Sequence, residues 1–214
     1  MPIPKSDLTL LRLQMLEDFD HEIIDQLLHG VSTYVAQEHY NLANRAKDIQ
    51  AGPPQEGVDK DWLVDLLSDD HYFLDEAQKL SHELAIVALY KKIEITTTRA
   101  VVVAYPDNSP KDLHKIDKLK MHLTSKGIDI ELLSHYSAMD ETRCLNNDIK
   151  HNGVVSEKLS KYPCWKKGDV LSDLDKAYQR LAPLCCLYMG EMVSVLIHKN
   201  GENQSARVAP ISPA

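Results

Sequence analysis

Glycine is scarce in this chain, with 8 residues among 214 against about 15 at the usual frequency of roughly 7%. Backbones that need little left-handed geometry are mostly helical. Cysteine is sparse too. Cys144, Cys164, Cys185 and Cys186 form no C-x-x-C pair, which excludes a disulfide framework and a zinc knuckle. Adjacent Cys185 and Cys186 fall in an apolar helical pattern and read as small core residues. No uninterrupted apolar run approaches the roughly 18–20 residues that span a bilayer. The opening MPIPKSDLTLLRLQMLEDFD lacks the apolar stretch and cleavage site of a secretory signal, so a cytoplasmic protein with no membrane partner is expected. A Gly-rich phosphate loop, a G-x-S-x-G elbow, a dinucleotide fingerprint and an HExxH helix are also missing; His82-Glu83 is followed by Leu-Ala-Ile. Kinase, dehydrogenase and α/β-hydrolase readings therefore have no support.

What remains is an ordinary globular composition, 43% hydrophobic and 26% charged, of a length that fits one domain. Residues 1–200 are expected to form it, with 201–214 as a flexible tail. Apolar residues at alternating three- and four-residue steps predict a helix over 8–49, with Leu16, Phe19, Ile23, Ile24, Leu27, Val31 and Tyr34 on its buried stripe. QAGPPQEGV interrupts the pattern at 50–58. A second helix follows from Lys60, with Phe73, Ala77, Leu80, Leu84 and Val87 on one face. Its continuation ITTTRAVVVAYP is rich in β-branched residues, but no second alternating run exists to pair with it, so helix is expected as far as Pro106. Ser109 and Pro110 supply the start of a short helix to Lys126, stopped by Gly127. Another helix spans 130–152, ending at Gly153, and a single turn is expected within 156–161.

The last helix, 169–199, repeats Leu171, Leu174, Tyr178, Leu181, Cys185, Tyr188, Met192 and Val195 in register, so Pro183 should bend it without ending it. Asn200-Gly201 is expected to close it. The fold class is all-α, an antiparallel bundle of four to five helices.

Chemistry concentrates in DETRCLNNDIKHNG, residues 140–153. At helical spacing Arg143, Asn147 and His151 fall along one stripe, with Asn146 and Lys150 beside it. A guanidinium, two amides, an ammonium and an imidazole together can hold a phosphate and exchange a proton near neutral pH. The competing reading is a solvated helix face, with His151 favoured at the C-terminus by the helix dipole. Between Arg143 and Gly168 six basic residues meet two acidic ones, in a chain of net charge −8. Lys158, Lys161, Lys166 and Lys167, interleaved with Tyr162 and Trp165, suit single-stranded RNA or a nucleotide. A second pattern, D-x-x-H, occurs at Asp18–His21 and Asp148–His151. It places a carboxylate and an imidazole one turn apart, as in carboxylate-bridged di-metal bundles, with Asp70 and Glu83 as further candidates.

At NNDIKHNG the chain resembles the signature helix of HEPN (higher eukaryotes and prokaryotes nucleotide-binding) proteins, and ELAIVALYKKIEI is similar to the long preceding helix of bacterial members. The resemblance implies a helical bundle acting as a homodimer, often a metal-independent endoribonuclease without cofactor in toxin or defence systems, with an antitoxin-like protein partner. The family motif is an arginine, often a polar residue next, then a histidine after four to six intervening residues. His151 and Asn147 match it, the arginine slot holds Asn146, and seven residues lie between Arg143 and His151, one more than the motif's spacing. His151 is then the candidate base and Arg143 the candidate phosphate-stabilising cation, with Asn147 between them. Two helical turns, about 12 Å, separate Arg143 from His151, so a second subunit's arginine or Lys150 would have to bridge that span. The alternative functions are a non-catalytic helical module, as a dimeric scaffold or partner-binding protein, and the di-metal bundle.

Overall fold

A computed structural model describes residues 5–53, 59–106 and 111–208, with side chains for 7–53, 59–106 and 111–202. Its helices are α1 (Lys5–Glu17), α2 (Glu22–Ala51), α3 (Lys60–Ala104), α4 (Ile116–Thr124), α5 (Tyr136–His151) and α6 (Leu174–Val208). Among the described residues there is no β-strand, only an isolated antiparallel bridge between Val154 and Val170. The β-branched run before Pro106 is therefore the end of α3, where Thr97, Ala100 and Val101 are buried.

The helix expected over 8–49 is two helices. Between them Phe19 is buried, with the Lys92 ammonium 5.1 Å from its ring centre. The Asp20 carboxylate accepts the Glu22 backbone N–H at 3.1 Å and the Lys92 ammonium at 3.0 Å. An aspartate accepting an N–H of the first turn is a helix-start signal, and here it sits inside what hydrophobic spacing alone reads as continuous helix. The segment 130–152 also divides, into a 3₁₀ turn at Ile130–Leu132 and α5. The single turn expected within 156–161 is a 3₁₀ turn at Leu159–Lys161.

α6 begins at Leu174, later than expected, because Asp173 adopts a left-handed φ of 52°; Leu171 is buried from the preceding loop. The helix continues through Pro183 and through Asn200-Gly201 to Val208. The short helix is Ile116–Thr124, stopped by Gly127 at φ 73°; Ser109 and Pro110 lie outside the described residues, as does the end of the tail.

α3 is the spine: α1, α2, α5 and α6 all pack on it. α6 fills the centre, with Leu181, Cys185, Tyr188, Met189, Met192 and Leu196 fully buried. By length and composition this helix could cross a membrane, since a window within residues 174–202 reaches a mean hydropathy of 1.5. Here its buried face is packed on α1, α3 and α5.

α2 pairs with α3 as a long antiparallel hairpin. Ser32 accepts from Gln78 at 3.0 Å, and the stacked rings of His39 and His71 bring their Nδ1 atoms to 2.6 Å. Yet the expected buried stripes are only half right. Ile24 and Phe19 are buried, whereas Ile23, Leu27, Tyr34, Phe73, Leu80 and Leu84 are exposed. The hairpin instead closes on Val35, Leu42 and Leu67.

Candidate functional site

Every acidic residue of α5 is engaged in holding the chain around it. Asp140 takes the Arg143 guanidinium at 2.8 Å on one oxygen and the Tyr162 hydroxyl at 2.8 Å on the other. Glu141 is buried, and accepts Arg180 at 2.6 and 3.0 Å and the Trp165 indole N–H at 2.7 Å. Asp148 accepts the Ser156 backbone N–H at 2.8 Å. A buried carboxylate is tolerated only when paired and hydrogen-bonded, and these bonds tie the segment 153–171 down onto α5. Backbone bonds from Val155 to Asp169 and from Leu171 to Gly153, both 2.9 Å, close its base.

The two aromatics read from sequence as interleaved with lysines therefore have structural tasks. Tyr162 and Trp165 each anchor a carboxylate, and both pack against the core. Burial first, and the Asp140 hydrogen bond second, push the Tyr162 hydroxyl well above the usual tyrosine range.

Four of the candidate residues meet in one place. Arg143, Asn146, Asn147 and Lys150 line an open cleft of about 570 Å³ together with Tyr90 and Glu94 of α3, His114 just before α4, and Ile116 at its start. Burial disfavours the Arg143 charge, but Asp140 outweighs it and keeps the pKa of the guanidinium above its ordinary value. Burial, then the neighbouring Glu94, pushes the Tyr90 hydroxyl up to about 12, so it stays a neutral donor. Asn146 is buried, its amide N–H₂ donating to Asn147 at 3.3 Å, while its Oδ1 finds no partner. A buried acceptor left alone costs about 1–3 kcal/mol.

His151 is not among the residues of this cleft. It is exposed on the last turn of α5, with no hydrogen bond or ion pair among the described residues. At about 100° per residue, residue 151 lies nearly a quarter turn round from the middle of the Arg143–Lys150 stripe. The imidazole that does line the cleft is His114, which the sequence reading missed along with Tyr90 and Glu94. All three come from elements distant in sequence, and nothing local marks them.

The basic loop does not add to that cleft as one surface. Lys158, Lys161 and Lys166 are exposed and make no ion pair among the described residues, while Lys167 pairs with Glu157 at 2.8 Å. Trp165 and Lys166 line a separate cavity of about 790 Å³ with Lys176 and Arg180.

The D-x-x-H pairs do not converge. His21, just before α2, lies 2.7 Å from Asp25, and Asp148 is occupied by the loop. Among the described residues no three His, Cys, Asp or Glu side chains are grouped to hold a metal ion.

Fold and cleft define an all-α helical bundle with a mixed polar cleft between its third and fifth helices. Comparison with family models, with curated proteins and with solved structures gave no match to the chain.

Proposed function

We propose that this chain is a HEPN-like helical protein that binds a phosphate-bearing ligand, RNA or a nucleotide, at the cleft between α3 and α5. The observation carrying this reading is the gathering of Arg143, Asn146, Asn147 and Lys150 in one cleft with a buried, unpartnered amide oxygen. Arg143 has N–H donors beyond those given to Asp140, Lys150 supplies an uncommitted ammonium, and the amides accept or donate to sugar and base edges. Binding is favoured over cleavage. His151 stands outside the cleft, so general-base catalysis by it requires a second chain to bring in the phosphate, as in the homodimer that the family resemblance implies. Cytoplasmic residence and an antitoxin-like partner belong to the same proposal.

The test uses a labelled single-stranded RNA with chelator present, read by anisotropy for binding and by gel for cleavage. The expected result is saturable binding without turnover, weakened at least tenfold in the double variant Asn147→Ala, Lys150→Glu and changed less than twofold in His151→Ala. Degradation lost in His151→Ala would replace this reading with the endoribonuclease, and absence of binding would end it.

A second reading, the non-catalytic partner-binding module, is favoured by a different observation: the apolar residues left exposed on the α2–α3 hairpin.

A further inference from the structure

The stripe that sequence periodicity marks on α3 is real but lies to the side of the contact with α2. Leu66, Phe73, Leu80 and Val87 recur every seven residues, with Ala77 and Leu84 between them. Phe73 is 66% exposed, Leu80 52% and Leu84 50%. A sustained seven-residue apolar repeat is the seam of a helix that packs on another helix. α3 has a different seam for α2, through Leu67 and Ser81.

α2 has a matching stripe in Ile23, Leu27 and Tyr34, which are 70%, 54% and 62% exposed. At about 100° per residue it lies roughly a quarter turn from the Ile24–Val35–Leu42 line that faces α3. In an antiparallel pair the two exposed stripes then fall on the same side of the hairpin. The Ser32–Gln78 and His39–His71 contacts fix the register, setting Leu27 level with Leu84 and Tyr34 level with Ala77. Gly30 falls between Leu27 and Tyr34 along the α2 stripe, and an added Cβ there would meet nothing within 4 Å. The result is an apolar two-helix groove along one side of the hairpin.

Six large side chains exposed to this degree present on the order of 600 Å² of apolar surface. That is the upper end of what a monomer displays, and most of the roughly 800 Å² that each partner gives to a standard interface.

The rim chooses the occupant. Asp69, Glu76 and Glu83 recur with the same seven-residue step along the outer edge of α3. Residues 23–37 of α2 contain no lysine or arginine, and Lys79, the one lysine or arginine within 73–87, lies against Glu76 at 3.9 Å. A second copy of the hairpin would bring an identical acidic row, and like charges along a seam select against pairing. An anionic membrane surface is disfavoured for the same reason.

We infer that the α2–α3 groove docks an amphipathic helix of another protein, with an apolar heptad seam flanked by lysine or arginine. This rests on the partner-binding reading and not on the cleft.

The test uses the full chain and three designed peptides of equal length: leucine seam with lysine flanks, leucine seam with glutamate flanks, and a scrambled version of the lysine peptide. Titration calorimetry should show the lysine-flanked helix binding at least tenfold more tightly than either other peptide. Phe73→Asp with Leu80→Asp should abolish this, with helical circular dichroism unchanged because both side chains are exposed. Glu76→Lys with Glu83→Lys should invert the preference between the two seam peptides. Equal binding of the scrambled peptide overturns the inference. Tighter binding of the glutamate peptide, or a dimer dissolved by the Phe73 and Leu80 changes, overturns the basic partner but keeps the module reading. No seam-dependent association of any kind overturns both.

Discussion

At the scale of the residue, the histidines separate by environment. His122 on α4 is half-buried, its Nε2 has no partner, and its ring stands edge-on to Tyr105 at 5.9 Å. Burial first, then the nearby Lys126 charge, hold its pKa below the ordinary histidine value. Because protonation is resisted more in the folded state than in the unfolded one, the unfolded chain binds the extra proton more readily. The stability this residue contributes is full above the unfolded pKa near 6.5 and declines as pH falls below it. Urea midpoints at pH 7.5 and pH 5.5 should therefore drop further for the native chain than for His122→Gln. An equal drop would show that other groups carry the acid sensitivity.

At the scale of the element, α5 and the segment 153–171 act as one unit. Gly153 ends α5 at φ 64°, and its N–H returns to the Asp148 carbonyl at 2.9 Å. A side chain in that left-handed conformation costs about 1–2 kcal/mol. Gly153→Ala should lower stability by about that amount in denaturant melts. It should also loosen the loop whose base the Leu171-to-Gly153 bond closes. Space is not the cause, since a Cβ there would meet nothing within 4 Å, so Gly153→Asn should recover part of the loss. A full-sized loss in the asparagine variant would point away from backbone conformation.

At the scale of the whole molecule, burial is uneven along α3. Its C-terminal half is enclosed by α1, α5 and α6, with Ile86, Leu89, Ile93, Ala100 and Val101 at 2% exposure or less. Its N-terminal half meets α2, and the shared interior there rests on Val35, Leu42 and Leu67. Local opening free energy follows buried apolar contact. Amide hydrogen exchange should therefore protect residues 181–196 and 85–101 far more strongly than 33–45 and 62–75. Uniform protection would mean that the hairpin has more support than its own contacts supply.

Much of this was legible in the sequence. Helical periods of three and four residues, scarce glycine and the turn signals near 50–58 and at Gly127 and Gly153 reflect local backbone preference, and local preference is written residue by residue. So is the grouping of Arg143, Asn146, Asn147 and Lys150, since a helix alone determines which of its residues share a stripe. Periodicity does not say which of two apolar stripes finds a neighbour. Both Ile24 and Leu27 repeat correctly, but only Ile24 is covered by α3. Nor does it say that Tyr162 and Trp165 are pegs for Asp140 and Glu141, that His114 joins the cleft, or that His151 is left outside it. Those outcomes depend on how separate helices cross, and that is decided by the collective fit of surfaces distant in the chain.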